Sequence, residues 1–399
     1  MTQESAGPPG SVRRPRIASI DLARGLIMVI MALDHSHDFF GNFAANPTDL
    51  ATTTVGLFFT RWVTHICAPT FFLLTGTGAY LTLGRMSKRE LARYLVSRGL
   101  WLIFLELVVM RFALQFNFDY QVTIVTVLWA LGWAMIILAG LIWLPMWAIG
   151  AFGAALVLGH DVLDGVQASS FGAFEPLWLL LHQPGVIYNN GHSTVLVAYV
   201  LIPWTGVTAL GYVLGTTYGW EAAARQRLLS WLGVGLIVGF LVLRFVNVYG
   251  DPALWSRQKT PLWTLLSFLN TSKYPPSLLF LLMTIGPALL LLRAFEAGIP
   301  RLLRPVHTIG KVPLFFFVLH FYLIHLLAVG VSWARYGTVR EVFESPDLAH
   351  FPFAAPPGWD LGLPLVFGVW ALVLVLLYPL CRWYAGVRQR RHVWWLSYL

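Results

Sequence analysis

Apolar residues run in unbroken stretches of about 20 along the whole chain, separated by short polar segments, a length that crosses a bilayer as a helix. None of the stretches shows the period-two alternation of a barrel strand. Lipid offers no partner to backbone N–H and C=O groups, so each run must close its own hydrogen bonds as a helix. The pattern predicts an all-α, polytopic integral membrane protein with about ten transmembrane helices. The spans are 17–37, 55–83, 95–115, 121–140, 142–159, 194–217, 229–249, 276–293, 312–334 and 361–382. They form one transmembrane domain over 17–382, between a disordered tail at 1–16 and a basic tail at 383–399. No internal repeat divides the chain, so an inverted-repeat transporter has no sequence support.

Composition agrees: 57% of residues are hydrophobic and 11% charged, too little charge to cover a soluble surface of 399 residues. The net charge of +9 changes the picture only through its distribution. Basic residues gather in alternate loops: Arg85, Lys88, Arg89, Arg93 and Arg98, then Arg225 and Arg227, then Arg293, Arg301, Arg304 and Lys311, then the C-terminal tail. That alternation sets orientation and argues against a nucleic-acid partner; it puts both termini in the cytoplasm. Asp21 and Arg24 inside the first apolar run argue against a cleaved signal peptide. Cys67 and Cys381 both lie within apolar runs, so neither a disulfide framework nor a thiolate metal site is expected. Two longer outer loops, 160–193 and 250–275, carry His182, Asn189, Asn190, His192, Trp255, Trp263 and Lys273. Their aromatics read either as an interfacial belt or as part of a functional surface.

Candidate chemistry concentrates on the first span, which opens on Asp21-Leu22-Ala23-Arg24-Gly25 and closes on Asp34-His35-Ser36-His37-Asp38. Ionisable groups inside a membrane helix are costly and therefore pair or serve function. Asp21 and Arg24, three apart, can neutralise each other as a structural pair. His35 has Asp34 beside it and Asp38 three residues on; a carboxylate next to an imidazole is the arrangement of an oriented general base, or of a simple helix cap. A metal is not expected, because residues two apart point to nearly opposite helix faces and a site would need the segment to unwind, or ligands such as His65 from elsewhere. In the second span Arg61 and His65 share a face, and Pro69 marks a kink that opens a cavity wall or serves packing alone. Thr75-Gly76-Thr77-Gly78 permits close helix approach. Lys273 and Tyr274 stand before Pro275-Pro276 at the outer start of the eighth span, and His320 sits near the middle of the ninth. His35, His65 and His320 could converge from three helices. Arg111 and Arg244 need partners, with Asp34, Asp38 and Asp119 the candidates by depth.

Taken together these segments resemble a family. Ile20-Asp21-Leu22-Ala23-Arg24-Gly25, with a histidine 14 residues after the aspartate, is similar to the opening of two groups of membrane acyltransferases: the acyltransferase family 3 proteins, and the family related to the heparan-α-glucosaminide N-acetyltransferase catalytic domain. The bacterial branch of the second group resembles more of the chain, through 59–69, Phe72-Leu73-Leu74-Thr75-Gly76, Lys273-Tyr274-Pro275-Pro276-Ser277-Leu278, and Pro313-Leu314-Phe315 to His320. The resemblance implies a multi-helix domain in the bacterial inner membrane that takes acyl-CoA, as donor substrate, from the cytoplasmic side. It would pass an acyl group, typically acetyl, to an amine or hydroxyl of an extracytoplasmic glycan or lipid. His35 falls at the position of the catalytic histidine of acyltransferase family 3. The heparan enzyme has its proposed active histidine in the first luminal loop, whereas 41–56 here holds none, which leaves His35 or His37 as substitutes. The expected roles are then His35 as base, oriented by Asp34 or Asp38; Arg61, His65, Lys273, Tyr274 and His320 toward the substrate; and Arg85, Lys88 and Arg89 toward the coenzyme A phosphates. A homo-oligomer is compatible with this reading. Intramembrane Arg, Asp and His equally suit a transporter of a small anion or lipid.

Overall fold

The computed structural model describes residues 17–41, 46–391 and 393. The tail expected at 1–16 lies outside them, as do 392 and 394–399 of the basic tail.

The chain is mostly helical. Helix α1 (Ala18–Phe40) leads to α2 (Val55–Thr64) and α3 (Cys67–Leu83). Next come α4 (Lys88–Phe104), which a π-helical stretch joins to α5 (Arg111–Gln115), then α6 (Val127–Leu141) and α7 (Met146–Gly159). The short α8 (Glu175–Leu181) precedes α9 (Leu201–Gly215), α10 (Ala222–Val246) and α11 (Pro261–Leu269). The chain ends in α12 (Leu278–Phe295), α13 (Arg304–Gly310), α14 (Pro313–Tyr336) and α15 (Gly362–Arg390).

Among the described residues, six helical stretches are long and apolar enough to cross a membrane: 55–83, 146–163, 222–246, 278–295, 313–336 and 362–390. Helix α1 has the length, 23 residues, but carries too much charge to stand with them. It is shielded instead, packing against α2, α3, α12, α13, α14 and α15. Burial among helices rather than in lipid is what lets Asp21 and Asp34 sit 3% and 8% exposed.

Four details depart from the apolar pattern. The fold is not purely helical: 121–126 and 194–200, assigned to spans, begin with strands β1 (Val122–Val125) and β3 (Thr194–Val197), which pair in parallel, while β2 (Gly185–Asn189) pairs antiparallel with β3. β-branched runs read as apolar span or as strand alike. The break in the second span falls at His65-Ile66, before Pro69, which sits in the first turn of α3 where a missing N–H costs nothing. The basic segment from Lys88 to Arg98 is helix rather than loop, because Ser87 and Glu90 form a reciprocal capping box that starts α4. Helix α15 runs eight residues past the expected end at 382, so most of the described part of the basic tail is helical.

Glycines set the closest crossings. A Cβ on Gly76 would lie 2.0 Å from the Thr208 carbonyl oxygen, and one on Gly211 would lie 2.1 Å from that of Leu73, so α3 and α9 touch backbone to backbone. Likewise a Cβ on Gly310 would meet the Asp21 oxygen at 1.7 Å, pressing α13 against α1. Small residues at such crossings are how membrane helices gain packing without a hydrophobic drive.

Candidate active site

The polar end of α1 gathers groups from four elements. Asp34 Oδ1 forms an ion pair with Arg61 of α2 and accepts a 2.9 Å hydrogen bond from the Thr64 hydroxyl. One turn of α2 therefore neutralises and fixes the carboxylate. Lys273 lies near enough to act electrostatically on Asp34, His35 and Asp38. Its ammonium stands 5.2 Å from the centre of the Tyr274 ring, and that ring meets Tyr199 edge-on at 5.6 Å.

His35 stands against a second histidine, while Asp34, one of the two carboxylates expected to orient it, is engaged by Arg61 and Thr64. His35 Nδ1 lies 2.7 Å from His320 Nε2 on α14. His320 Nδ1 lies 3.1 Å from the Phe316 carbonyl oxygen, which can only accept. With both rings neutral, His320 therefore carries its proton on Nδ1 and offers the Nε2 lone pair. His35 donates to it from Nδ1, which leaves the lone pair of His35 on Nε2. The Phe321 ring packs on His35 at 4.1 Å, and Phe317 meets it edge-on at 6.3 Å. A neutral imidazole with its lone pair held in one direction is what proton abstraction needs.

His320, expected on the substrate side, is thus the partner of His35, and it is fully buried. His65 is buried against Phe280 and its Nδ1 has no hydrogen-bond partner. It joins the Arg61 side of the cluster and takes no part in the His35–His320 pair. One ligating atom from each of Asp34, His35 and Asp38 lies within 4.8 Å of the others on an intact helix; no two of them are two residues apart, so gathering these three needs no unwinding. Asp34 Oδ1 and His35 Nδ1 are nonetheless engaged with Arg61, Thr64 and His320.

At the opposite, basic end of the bundle a cavity of about 1270 Å³ opens. Its cationic lining is Arg24, Arg85, Arg98, Lys311 and Arg388. Of the three cations expected there, Arg85 is present; Lys88 and Arg89 do not line the cavity and are exposed on the first turn of α4. Asp21 and Arg24 lie 3.7 Å apart, as their spacing predicts, and both also line this cavity. Met28 of α1 and Phe317 of α14 are the lining residues that reach furthest along those two helices toward His35 and His320. His35 lies two helical turns beyond Met28, roughly 10 Å at 1.5 Å per residue, and His320 one turn beyond Phe317. The cavity therefore ends about one side-chain layer from the histidine pair.

Other cations resolve locally. Arg111 pairs with Asp119 at 3.1 Å, one of its expected candidates. Arg244 takes none of its three; it donates to the carbonyls of Ser267, Phe268, Ala253 and Asn270 and lies 3.8 Å from Asp251. Asp251 in turn accepts from Ser272 N at 2.8 Å and the Ser277 hydroxyl at 2.6 Å, so it frames the turn that carries Lys273. Burial pushes the Asp251 carboxyl up, against the pull of those hydrogen bonds and of Arg244.

Sequence reasoning did not anticipate Thr64, Lys311 or Arg388 as site residues. Arg98 closes the basic segment from Arg85 that the charge pattern offers to the coenzyme A phosphates, and it lies ten residues, nearly three turns, along α4 from Lys88. Lys311 and Arg388, 77 positions apart, meet only in space, where Arg388 Nη1 donates to the Lys311 carbonyl.

No curated protein matches the chain. A family model, the catalytic domain of heparan-alpha-glucosaminide N-acetyltransferase, matches residues 16–247, more than half of the sequence. The matched stretch carries Asp34, His35, Arg61 and His65 and ends before Lys273 and His320. By that match, this membrane-type helical chain belongs to the heparan-alpha-glucosaminide N-acetyltransferase catalytic family.

Proposed function

We propose that the protein is an acyl-CoA-dependent membrane acyltransferase. It moves an acyl group, acetyl in the first instance, to an amine or hydroxyl of a glycan or related amphiphile on the far side of the inner membrane. The observation that carries this reading is that a cation-lined cavity of about 1270 Å³ reaches Phe317, whose ring also packs 6.3 Å from the His35 ring that His320 holds.

Coenzyme A carries phosphates at one end and a thioester at the other. Arg85, Arg98, Lys311 and Arg388 supply charge for the phosphates, the cavity accepts the pantetheine arm, and its apolar end admits the acyl chain. The thioester carbonyl then lies beside the histidine pair. His35 Nε2 takes a proton from the acceptor N–H or O–H as that nitrogen or oxygen bonds to the carbonyl carbon. The tetrahedral intermediate collapses with cleavage of the C–S bond, and the thiolate leaves with the proton held by His35. His320 holds the ring in position, and the positive field of Arg61 and Lys273 favours the oxyanion. Positive-inside orientation makes the cavity mouth cytoplasmic, in line with ten crossings and both termini inside.

The test is transfer by the purified protein in nanodiscs. Labelled acetyl-CoA with an amino-sugar acceptor should yield acetylated product and free coenzyme A, and His35→Gln should abolish both. Acceptor flux into liposomes without acyl-CoA, together with no transfer, would overturn the reading in favour of a transporter.

A further inference from the structure

A second cluster of chemistry-bearing side chains lies at the same end of the bundle as His35, in the segment that follows α7. His160 opens a 3₁₀ turn over His160–Leu163, Asp164 follows that turn, and His182 ends α8. One ligating atom from each of the three lies within 4.8 Å of the others. The histidines are 1% and 2% exposed, whereas the Asp164 side chain keeps 22% of its surface open.

The hydrogen bonding of this cluster is incomplete. Among the described residues, neither ring nitrogen of His160 has a hydrogen-bond partner, and neither does Nδ1 of His182. A buried polar atom without a partner is left undersolvated, and three within two neighbouring rings is a large uncompensated sum. Asp161 Oδ1, also without a hydrogen-bond partner, lies 3.3 Å from His160 Nδ1, while its Oδ2 accepts from Leu278 N at 3.0 Å.

We propose that His160, Asp164 and His182 form a binding site for a divalent transition-metal ion of the zinc class. His182 Nε2 and Asp164 Oδ1 stand 3.2 Å apart, close to the edge of a tetrahedron whose bonds to the ion are about 2.0–2.2 Å long. His160 closes the third corner from Nε2, with Nδ1–H turned to the Asp161 carboxylate, the outer carboxylate that metal-bound histidines commonly use. Two imidazoles and one carboxylate suit zinc over magnesium or calcium, which prefer all-oxygen shells. The open side of Asp164 gives the ion its way in, and a water takes the fourth corner.

The ion ties residue 160 to residue 182 and fixes Asp161, hence the start of α12 directly after the turn that carries Lys273. In the Asp34–His35–Asp38 group, by contrast, Asp34 Oδ1 is bonded to Arg61 and Thr64 and His35 Nδ1 to His320.

The full-length protein in nanodiscs, stripped with chelator, is titrated with Co²⁺ and then Zn²⁺. One equivalent of Co²⁺ should give the intense visible absorption of a tetrahedral site, and Zn²⁺ should bleach it. His182→Ala and Asp164→Asn should each weaken Co²⁺ binding by more than the roughly 10–100-fold that loss of an outer-shell partner costs. Asp38→Asn should keep the absorption. His160→Ala is read only if it elutes at the wild-type size; the other two variants carry the test if it does not. No stoichiometric binding to wild type, or an absorption unchanged in His182→Ala and Asp164→Asn, would overturn the proposal.

Discussion

At the residue scale, the difference between an oriented base and a helix cap comes down to which group holds His35. Asp34 is committed to Arg61 and Thr64, and His320 takes the Nδ1 proton. His35→Gln keeps a hydrogen-bonding group but cannot accept a proton, so it should lower kcat by the roughly 10²–10⁴-fold typical of a lost general base. His320→Phe should cost less, about 1–3 kcal/mol of positioning or roughly 5–150-fold in rate, because His35 remains but its tautomer is no longer held. His320→Gln can accept from Nδ1–H and should recover part of that loss. The pH–rate profile discriminates: His320 variants should shift its acid limb, whereas a purely packing role would lower the whole profile uniformly. A fully active His35→Gln with an inactive His37→Gln would move the base to the neighbouring imidazole.

At the element scale, the crossings of α3 with α9 and of α1 with α13 depend on the absence of a Cβ. Gly76→Ala sets a methyl 2.0 Å from a backbone oxygen that has no room to move. It should destabilise the protein by about 3 kcal/mol, the upper end of overpacking costs, read as a lower unfolding midpoint in detergent. Gly140→Ala, with nothing within 4 Å, is the matched control and should leave the midpoint in place. The α1–α13 crossing bears on function as well, since α1 carries Arg24 at one end and His35 at the other. Asp251 serves the same scale from outside the spans: Asp251→Ala frees Ser272 N and the Ser277 hydroxyl beside the Lys273 turn. Acceptor KM should rise several-fold while KM for acyl-CoA stays constant; equal changes in both would mean a global loss of fold.

At the scale of the whole molecule, the cavity and the loop charges make different demands on the same arginines. Arg85→Gln with Arg98→Gln should raise the KM for acetyl-CoA roughly 100-fold or more, because each guanidinium removed takes with it a charge-assisted hydrogen bond to phosphate of about 1.5–3 kcal/mol. Lys88→Gln with Arg89→Gln should change that KM much less, since neither residue lines the cavity. The first effect should shrink in high salt as the remaining cations are screened. Orientation is read separately: reporters fused after Lys88 and Lys311 should report cytoplasm, and those after Asp164 and Lys259 the far side. A C-terminus found outside would remove the ten-crossing arrangement.

Local chemistry alone determined the membrane class, most helix positions, the Asp21–Arg24 pair and the clustering of ionisable groups at the His35 end of α1. Each is a matter of composition, period or spacing within one helix, where the relevant neighbours are three or four residues away. The strands β1 and β3 escaped because a short β-branched run abutting an apolar helix has no period of its own. Long-range meetings were decided only by the tertiary structure. His35 and His320 are 285 positions apart, and Asp34 and Arg61 are 27 apart. No spacing rule relates residues on different helices, because the crossing angle and the glycine contacts that fix helix against helix exist only once the chain is packed. Charge showed that Asp34 needed a cation and that His35 needed an orienting group. Packing chose which cation and which group, by placing one turn of α2 and one turn of α14 against the same end of α1.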